Sequence, residues 1–360
     1  MSSHPHSRLS ICRLGTPFRK EHLMATIVVA GLGRVGSLDD ANRPKPPRSH
    51  IGNILATPGL RLVAAIDSDP AVRHAARNQW QGLGGTDVLG SLAELEPGTI
   101  DILVLATPTI GRLQDVAAAV ALRPKALLIE KPLAKNLSEA ISLLPTLRSS
   151  GSLIRINYMR RFAPAIQSAM LTLPTGATKV VLRYSGGLMN MASHGLDLLI
   201  GRFGAIRSVT ASPIIGEELG AGADDGLDFR VRFDSGDLAF GVSLGAVAFS
   251  ELSLDFLSHR GRLEITDNGV SVRWHVPRIG AIFPGYAGLA YADDLATHDH
   301  DLGMPGLYCA LRDAVSHQRT IGGTTLEQGL HICAVIDAIR RSAAEAGREI
   351  AVDRLDFGAK

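Results

Sequence analysis

The stretch Thr26-Ile27-Val28-Val29-Ala30-Gly31-Leu32-Gly33-Arg34-Val35-Gly36 decides the fold. An apolar strand running into G-x-G-x-x-G is how a dinucleotide-binding βαβ unit begins. Gly31 allows the tight turn, Gly33 lets a pyrophosphate approach the backbone, and Gly36 lets the next helix pack close to the strand. Amides at the start of that helix, Arg34 and Val35 among them, then face the phosphates. Such a unit needs a second strand ending in an acid that holds the ribose. Arg61-Leu-Val-Ala-Ala-Ile-Asp67 is that strand, but Asp67 lies 31 residues after Gly36 rather than about 20. The excess is Ser37 to Arg48, polar and holding three prolines, so it reads as a loop. Helical sequence resumes near Ser49 to Ala56. The insertion sits where a cofactor would lie and is either a lid or substrate loop, or a plain surface insertion. Asp67 accepts hydrogen bonds from ribose hydroxyls and repels a 2′-phosphate, which favours NAD; Arg34 argues for NADP, which stays open.

Working outward, the first half alternates strand and helix, the pattern of a parallel sheet. Strands are expected at 26–30, 61–66, 100–106, 125–130 and 152–157, and helices at 70–80, 110–122 and 138–149. Ser138 and Glu139 are read as cap and first-turn acid of the last helix. After about residue 175 short strands dominate, at 179–184, 206–212, 228–234, 237–244, 251–257, 261–266 and 270–275. Asp234-Ser-Gly-Asp237 and Asp267-Asn-Gly269 read as hairpin turns. Helices are expected at 193–203, 306–318 and 325–346, the last packing back on the first half. The expected fold is therefore α/β: an N-terminal Rossmann domain, then an α/β domain with a large, mostly antiparallel open sheet. The domain bounds are read as a disordered tail over 1–23, a nucleotide-binding domain over 24–157 and a substrate and oligomerisation domain over 158–360. Met24 is a candidate start. An open sheet face often pairs with a second copy, so a homo-oligomer, dimer or tetramer, is expected.

Composition narrows the function classes. The 360 residues carry a formal charge of +2, and 46% are hydrophobic, enough for two cores. Arg8, Arg13, Arg19 and Lys20 in the tail account for the excess of base, so no nucleic-acid surface is indicated. The three cysteines, Cys12, Cys309 and Cys333, have no metal or redox spacing. No apolar run has membrane-spanning length, and no signal peptide is evident. A cytoplasmic protein without membrane partners is the expectation. His298-Asp-His300-Asp301 is weighed as a metal site and as a solvated loop, and no metal is called for. Residues 281–291 and His298 are also read as a loop near the substrate.

Four further segments carry chemistry. Ala106-Thr107-Pro108 and Ile129-Glu130-Lys131-Pro132 each end a strand, where ligands bind in such sheets. Asn157-Tyr158-Met-Arg-Arg161-Phe-Ala-Pro164 follows the next strand. In Asn190-Met-Ala-Ser-His194-Gly-Leu-Asp197, helical geometry places His194 and Asp197 away from the stripe Leu196, Leu199, Ile200 and Phe203. That side is either a solvated face or a site.

Taken in order, these motifs resemble those of the glucose–fructose oxidoreductase, inositol dehydrogenase and MocA family. The resemblance implies nicotinamide-dependent oxidation or reduction of a sugar, polyol or related carbonyl compound. It implies NAD contacts at Gly31, Gly33, Arg34, Val35, Gly36, Asp67, Thr107, Pro108, Glu130, Lys131 and Asn157. It places Lys131, Tyr158, Arg161, Asn190, His194 and Asp197 around a small-molecule substrate. Lys131 matches the lysine of the family's E-K-P motif and His194 the histidine of its D-x-G-x-H segment. Asn190 stands where that segment usually has Asp, Ala192 where it has Gly, and Ile110 and Arg112 replace histidines. In the implied chemistry His194 exchanges the hydroxyl proton, Lys131 stabilises the oxygen, and Asn190 orients the pair without adding charge. By that charge argument Lys131 is expected to lose its proton more easily than beside an Asp. Two other classes remain: a nucleotide- or sugar-sensing regulator of the same fold, and a reductase of a non-sugar carbonyl, imine or tetrapyrrole.

Overall fold

The computed structural model describes residues 24–40, 46–80, 85–174, 178–213, 226–245, 247–280, 285–298, 301–317 and 319–353. The tail over 1–23, part of the insertion (41–45) and the centre of the His298–Asp301 segment (299–300) lie outside them.

Six parallel strands form the first sheet: β1 (Ala25–Ala30), β2 (Leu60–Ile66), β3 (Asp87–Leu89), β4 (Ile102–Leu105), β5 (Ala126–Glu130) and β6 (Leu153–Asn157). Their order is β3-β2-β1-β4-β5-β6, so the chain reverses direction across the sheet between β1 and β4. Ligands of doubly wound sheets bind in the crevice at that reversal. The strands are continuous apolar runs because helices cover both faces. Those helices are α1 (His50–Ala56), α2 (Pro70–Gln79), α3 (Arg112–Ala121) and α4 (Leu137–Ser149). The N-cap of α4 is Asn136, not Ser138: its side chain accepts from the Glu139 amide at 2.9 Å.

The insertion is spliced into the helix that follows the glycine loop. The Asp39 amide donates to Arg34 O at 2.8 Å, beginning a helical ladder. The His50 amide then donates to Val35 O at 2.8 Å and the Ile51 amide to Gly36 O at 3.1 Å. The ladder thus resumes across the excursion. Asp40 pins its base: the buried carboxylate accepts from the Arg48 amide at 2.6 Å, the Ser49 amide at 3.0 Å and Ser49 Oγ at 2.5 Å. The delay in reaching Asp67 therefore leaves the glycine loop and the start of α1 in register.

The second sheet has nine strands: β7 (Lys179–Tyr184), β8 (Ile206–Pro213), β9 (Leu227–Phe233), β10 (Leu238–Ser243), β11 (Leu252–Ser258), β12 (Gly261–Thr266), β13 (Ser271–Ile279), β14 (Ala287–His298) and β15 (Ile350–Ala351). The order is β14-β13-β12-β11-β7-β10-β9-β8-β15, and only β7 and β10 pair in parallel. The helices of this half are α5 (Pro164–Thr172), α6 (Ser193–Phe203), α7 (Met304–His317) and α8 (Leu326–Ala344). α6 lies on one face of the sheet with every residue from Ser193 to Ile200 buried. α8 bridges the halves: it packs on β8 and α6 and also against α4 and β6. The capping box Thr325–Gln328 starts it. α7 returns to α1 and places buried Tyr308 beside the nucleotide-binding half. Of the loop expected over 281–291 and at His298, residues 281–284 lie outside the described residues, while 287–291 and His298 fall in β14, which is fixed by its antiparallel ladder with β13. No helix among the described residues is long and apolar enough to cross a membrane.

Candidate active site

The glycine loop has the shape a dinucleotide needs. A Cβ on Gly31 would lie 2.6 Å from the Ala106 carbonyl, and one on Gly36 would lie 1.9 Å from Gly31 O. Both glycines are thus required by close backbone approach. A Cβ on Gly33 would meet nothing within 4 Å. That open space, beside the amides of the first helical turn, fits a pyrophosphate. Asp67, just past the end of β2, accepts from the Leu32 amide at 2.8 Å and the Asp69 amide at 2.9 Å, which fastens its carboxylate to the loop. Arg34 is exposed and paired with Asp39 at 3.1 Å. Thr107 follows β4, where its Oγ donates to Asp115 at 2.5 Å and its carbonyl accepts from Arg112 Nη2 at 3.0 Å. Pro108 is exposed next to it.

Glu130 and Lys131 follow one another at the end of β5 and face different partners. Glu130 Oε1 meets His50 Nε2 at 2.8 Å and also accepts from Asn157 Nδ2. The other ring nitrogen of His50 meets the Tyr308 hydroxyl at 2.6 Å. A carboxylate only accepts, so Nε2 carries the proton and a neutral ring takes the Tyr308 proton at Nδ1. Burial by itself would raise the Glu130 carboxyl. The hydrogen bond and charge of His50, then Asn157 and Lys131, override it and hold the group below the usual carboxylate range. His50 was not singled out in the sequence, although it follows the helix cap Ser49 where the ladder resumes. Asn157, expected at the cofactor, sits behind Glu130 and against Met304 Sδ at 3.8 Å.

Lys131 points across to the second half. Its Nζ donates to Asn190 O at 3.0 Å and to Asn190 Oδ1 at 3.1 Å. Asn190 lies in a π-helical turn, Leu188–Ala192, that leads directly into α6. Single π turns often occur at functional sites, since the extra residue re-aims the side chains around it. One turn later His194 is 7% exposed, with Tyr158 edge-on to its ring at a centroid distance of 5.5 Å. Its Nδ1 is buried without a hydrogen-bond partner. Burial, then the charges of Arg160 and Lys131, lower the His194 pKa well below the usual imidazole value. The ring is therefore neutral at neutral pH. Tyr158 is buried behind it, and burial raises its hydroxyl far above the ordinary value.

Arg161 and Asp197, expected at the substrate, instead hold each other. Arg161 Nε meets Asp197 Oδ2 at 2.8 Å, its Nη2 meets Oδ1 and the Asp197 carbonyl at 2.7 Å, and its Nη1 meets Gln328 Oε1 at 2.9 Å. Thr324 Oγ donates to Asp197 Oδ1 at 2.6 Å, and Asp197 is 0% exposed. Neither the solvated face nor a substrate contact describes this carboxylate; it ties α6 to the turn before α8. Asp197→Ala leaves the Arg161 charge buried and uncompensated, so it is expected to cost about 3–5 kcal/mol in denaturant unfolding. A loss below about 1 kcal/mol would contradict that role.

Known proteins bear on this geometry. Residues 26–158 match the GFO_IDH_MocA family model, described as "Oxidoreductase family, NAD-binding Rossmann fold". The matched stretch runs from β1 to the end of β6. Its Rossmann domain is an NAD-binding one. A curated relative, scyllo-inositol 2-dehydrogenase (NAD(+)) of Bacillus subtilis (strain 168), is 25% identical over 163 residues, 44% of this chain and 42% of that protein. The chain thus spans less than half the length of that relative. Two solved structures share the fold. An oxidoreductase from Agrobacterium radiobacter, in complex with NAD+, L-tartaric acid and magnesium, has a TM-score of 0.69 at 16% identity, covering 91% of this chain and 98% of that one. The WlbA dehydrogenase from Bordetella pertussis, in complex with NADH and UDP-GlcNAcA, has a TM-score of 0.68 at 20% identity, with the same coverage. Among the described residues no group of three or more His, Cys, Asp or Glu is placed to hold a metal ion.

Proposed function

We propose that this protein is an NAD-dependent oxidoreductase that exchanges a hydride between the nicotinamide and a hydroxyl-bearing carbon of a sugar, polyol or related compound. The observation that carries the reading is the meeting of Lys131, Asn190 and His194 where β5 ends and α6 begins. NAD+, when bound, supplies the acceptor for the hydride that leaves the carbinol carbon. Gly31, Gly33, Gly36 and Asp67 hold its phosphates and ribose, with Thr107 and Glu130 lining the crevice. The chain's own groups handle the oxygen and its proton. His194 is kept neutral by burial and neighbouring cations, so it can take the hydroxyl proton as the carbonyl forms. Lys131 donates a hydrogen bond to the same oxygen and offsets its growing negative charge. Asn190 orients Lys131 from both its carbonyl and its side-chain oxygen.

Asp67 supports NAD over NADP, since a 2′-phosphate beside its carboxylate would be repelled. The outer face of the nine-stranded sheet carries exposed Phe240, Val242 and Leu257, and we assign it to pairing with a second copy. The test of the reaction is direct. The protein is mixed with NAD and a panel of polyols, sugars, sugar acids and nucleotide sugars, and absorbance is followed at the reduced-nicotinamide band. Turnover of at least one member is expected. Saturable NADH binding with no turnover across the panel would favour the sensing regulator instead.

A further inference from the structure

Glu130 is the last residue of β5, and its two oxygens meet different surroundings. Oε1 accepts from His50 Nε2 at 2.8 Å and from Asn157 Nδ2. Oε2 has no partner among the described residues, yet it is not enclosed by protein, and the side chain keeps 12% of its surface exposed. The far end of the chain of bonds settles the charge. Tyr308 is 0% exposed, and its hydroxyl has one partner among the described residues, His50 Nδ1 at 2.6 Å. A doubly protonated ring would donate from Nδ1 and leave the buried Tyr308 proton without an acceptor. With Tyr308 donating, each of these protons has an acceptor and His50 is neutral. The negative charge of Glu130 is therefore not cancelled by an imidazolium behind it.

The sheet says what that charge faces. The glycine loop leaves β1, and Asp67 follows β2, so a pyrophosphate and its first ribose lie over those two strands. The strand order reverses between β1 and β4, so the other end of a dinucleotide continues over β4 and β5. The nicotinamide then falls where Glu130 and Lys131 end β5 and where Lys131 crosses to Asn190. The oxidised ring carries a positive charge and the reduced ring carries none. The Lys131 ammonium therefore opposes NAD+ but not NADH, and the Asn190 amide offsets nothing. We propose that Glu130 is the counter-charge of the oxidised nicotinamide, through which the site tells NAD+ from NADH, and that His50 is the positioning residue that holds this carboxylate in place. The inference rests on NAD binding by the Rossmann half, and no hydride transfer enters it.

Two dissociation constants test the charge without any substrate. Full-length protein is titrated calorimetrically with NAD+ and, separately, with NADH. Glu130→Gln keeps the size of the side chain and an acceptor oxygen; it should raise Kd for NAD+ roughly 5- to 50-fold, the scale of one charge at close range, and leave Kd for NADH within about threefold. Glu130→Asp draws the carboxylate back by one methylene and should weaken NAD+ by a smaller factor, again with NADH nearly unchanged. It serves where Glu130→Gln fails to fold, as read from its thermal melt. His50→Gln sets an amide N–H where Nε2 stood and should retain the wild-type ratio of the two constants, whereas His50→Leu removes the donor and should move the ratio toward that of Glu130→Gln. A merely structural histidine would move both constants alike. Both constants raised by one factor in the Glu130 variants, or neither changed, overturns the proposal, and a wild-type ratio in His50→Leu removes His50 from it. Binding of neither nucleotide to wild type overturns the cofactor reading as well. Turnover in the substrate panel with an unshifted ratio in Glu130→Gln overturns this inference alone and leaves the oxidoreductase standing. A shifted ratio with no turnover leaves the counter-charge standing and removes the assigned chemistry.

Discussion

Lys131→Ala is expected to lower kcat by roughly 10²- to 10³-fold while NADH still binds, which is the usual effect of removing one donor from a developing oxyanion. The geometry makes the loss one of transition-state stabilisation. Lys131 Nζ is fixed by two oxygens of Asn190, at 3.0 and 3.1 Å, so its charge is held in place rather than mobile. A hydroxyl in the ground state gains only an ordinary hydrogen bond from that ammonium. The same oxygen gains more as it turns toward alkoxide, because the ammonium then meets a full negative charge. The cost should therefore fall on kcat and on kcat/KM alike, with little change in KM. Lys131→Arg should rescue poorly, because a planar fork cannot occupy the place of a compact ammonium held between two oxygens. Steady-state kinetics with any substrate found in the panel, beside NADH fluorescence titration, provide the check. A kcat within about threefold of wild type would remove Lys131 from the chemistry.

The sequence made the Rossmann half legible because its strands are buried on both faces and read as unbroken apolar runs. β3 escaped notice because Asp87–Leu89 is three residues long and flanks the sheet's edge. β14 escaped for a different reason. Ala287–His298 is rich in Ala and Asp and has little strand propensity; its conformation comes from the ladder with β13, so tertiary context overrides the local signal. Motif spacing brought Glu130, Lys131, Asn190 and His194 into view, but the partners of Glu130 lie far off in sequence. His50 reaches Glu130 only because the ladder closes over the insertion, and Tyr308 arrives on α7. No pattern in the chain distinguishes Arg160 from Arg161. The short 3-10 turn Met159–Phe162 separates neighbours by about 120°, sending one guanidinium to Asp197 and the other toward Asn268.

The second large effect concerns pH. In the oxidation direction His194 must be neutral to accept a proton, so activity falls when the ring becomes protonated in the free enzyme. Burial, Arg160 and Lys131 all disfavour the protonated ring. The acidic limb of kcat/KM is therefore expected below the ordinary histidine range, with a flat profile through neutrality. Carbonyl reduction needs the opposite form, a ring that already holds the proton, so its rate should rise as pH falls toward the same lowered value. His194→Gln keeps a polar group of similar reach and removes the proton exchange; kcat for oxidation should drop by roughly 10²- to 10⁴-fold. The acidic limb should vanish with it, which a merely structural histidine would not cause. Removing a neighbouring cation moves the limb the other way: Arg160→Met takes away one of the charges that oppose protonation, so the ring protonates at higher pH and the limb moves up. The pH–rate profiles of wild type, His194→Gln and Arg160→Met, taken with one substrate, decide the matter. An acidic limb that persists unchanged in His194→Gln would assign the proton to another group.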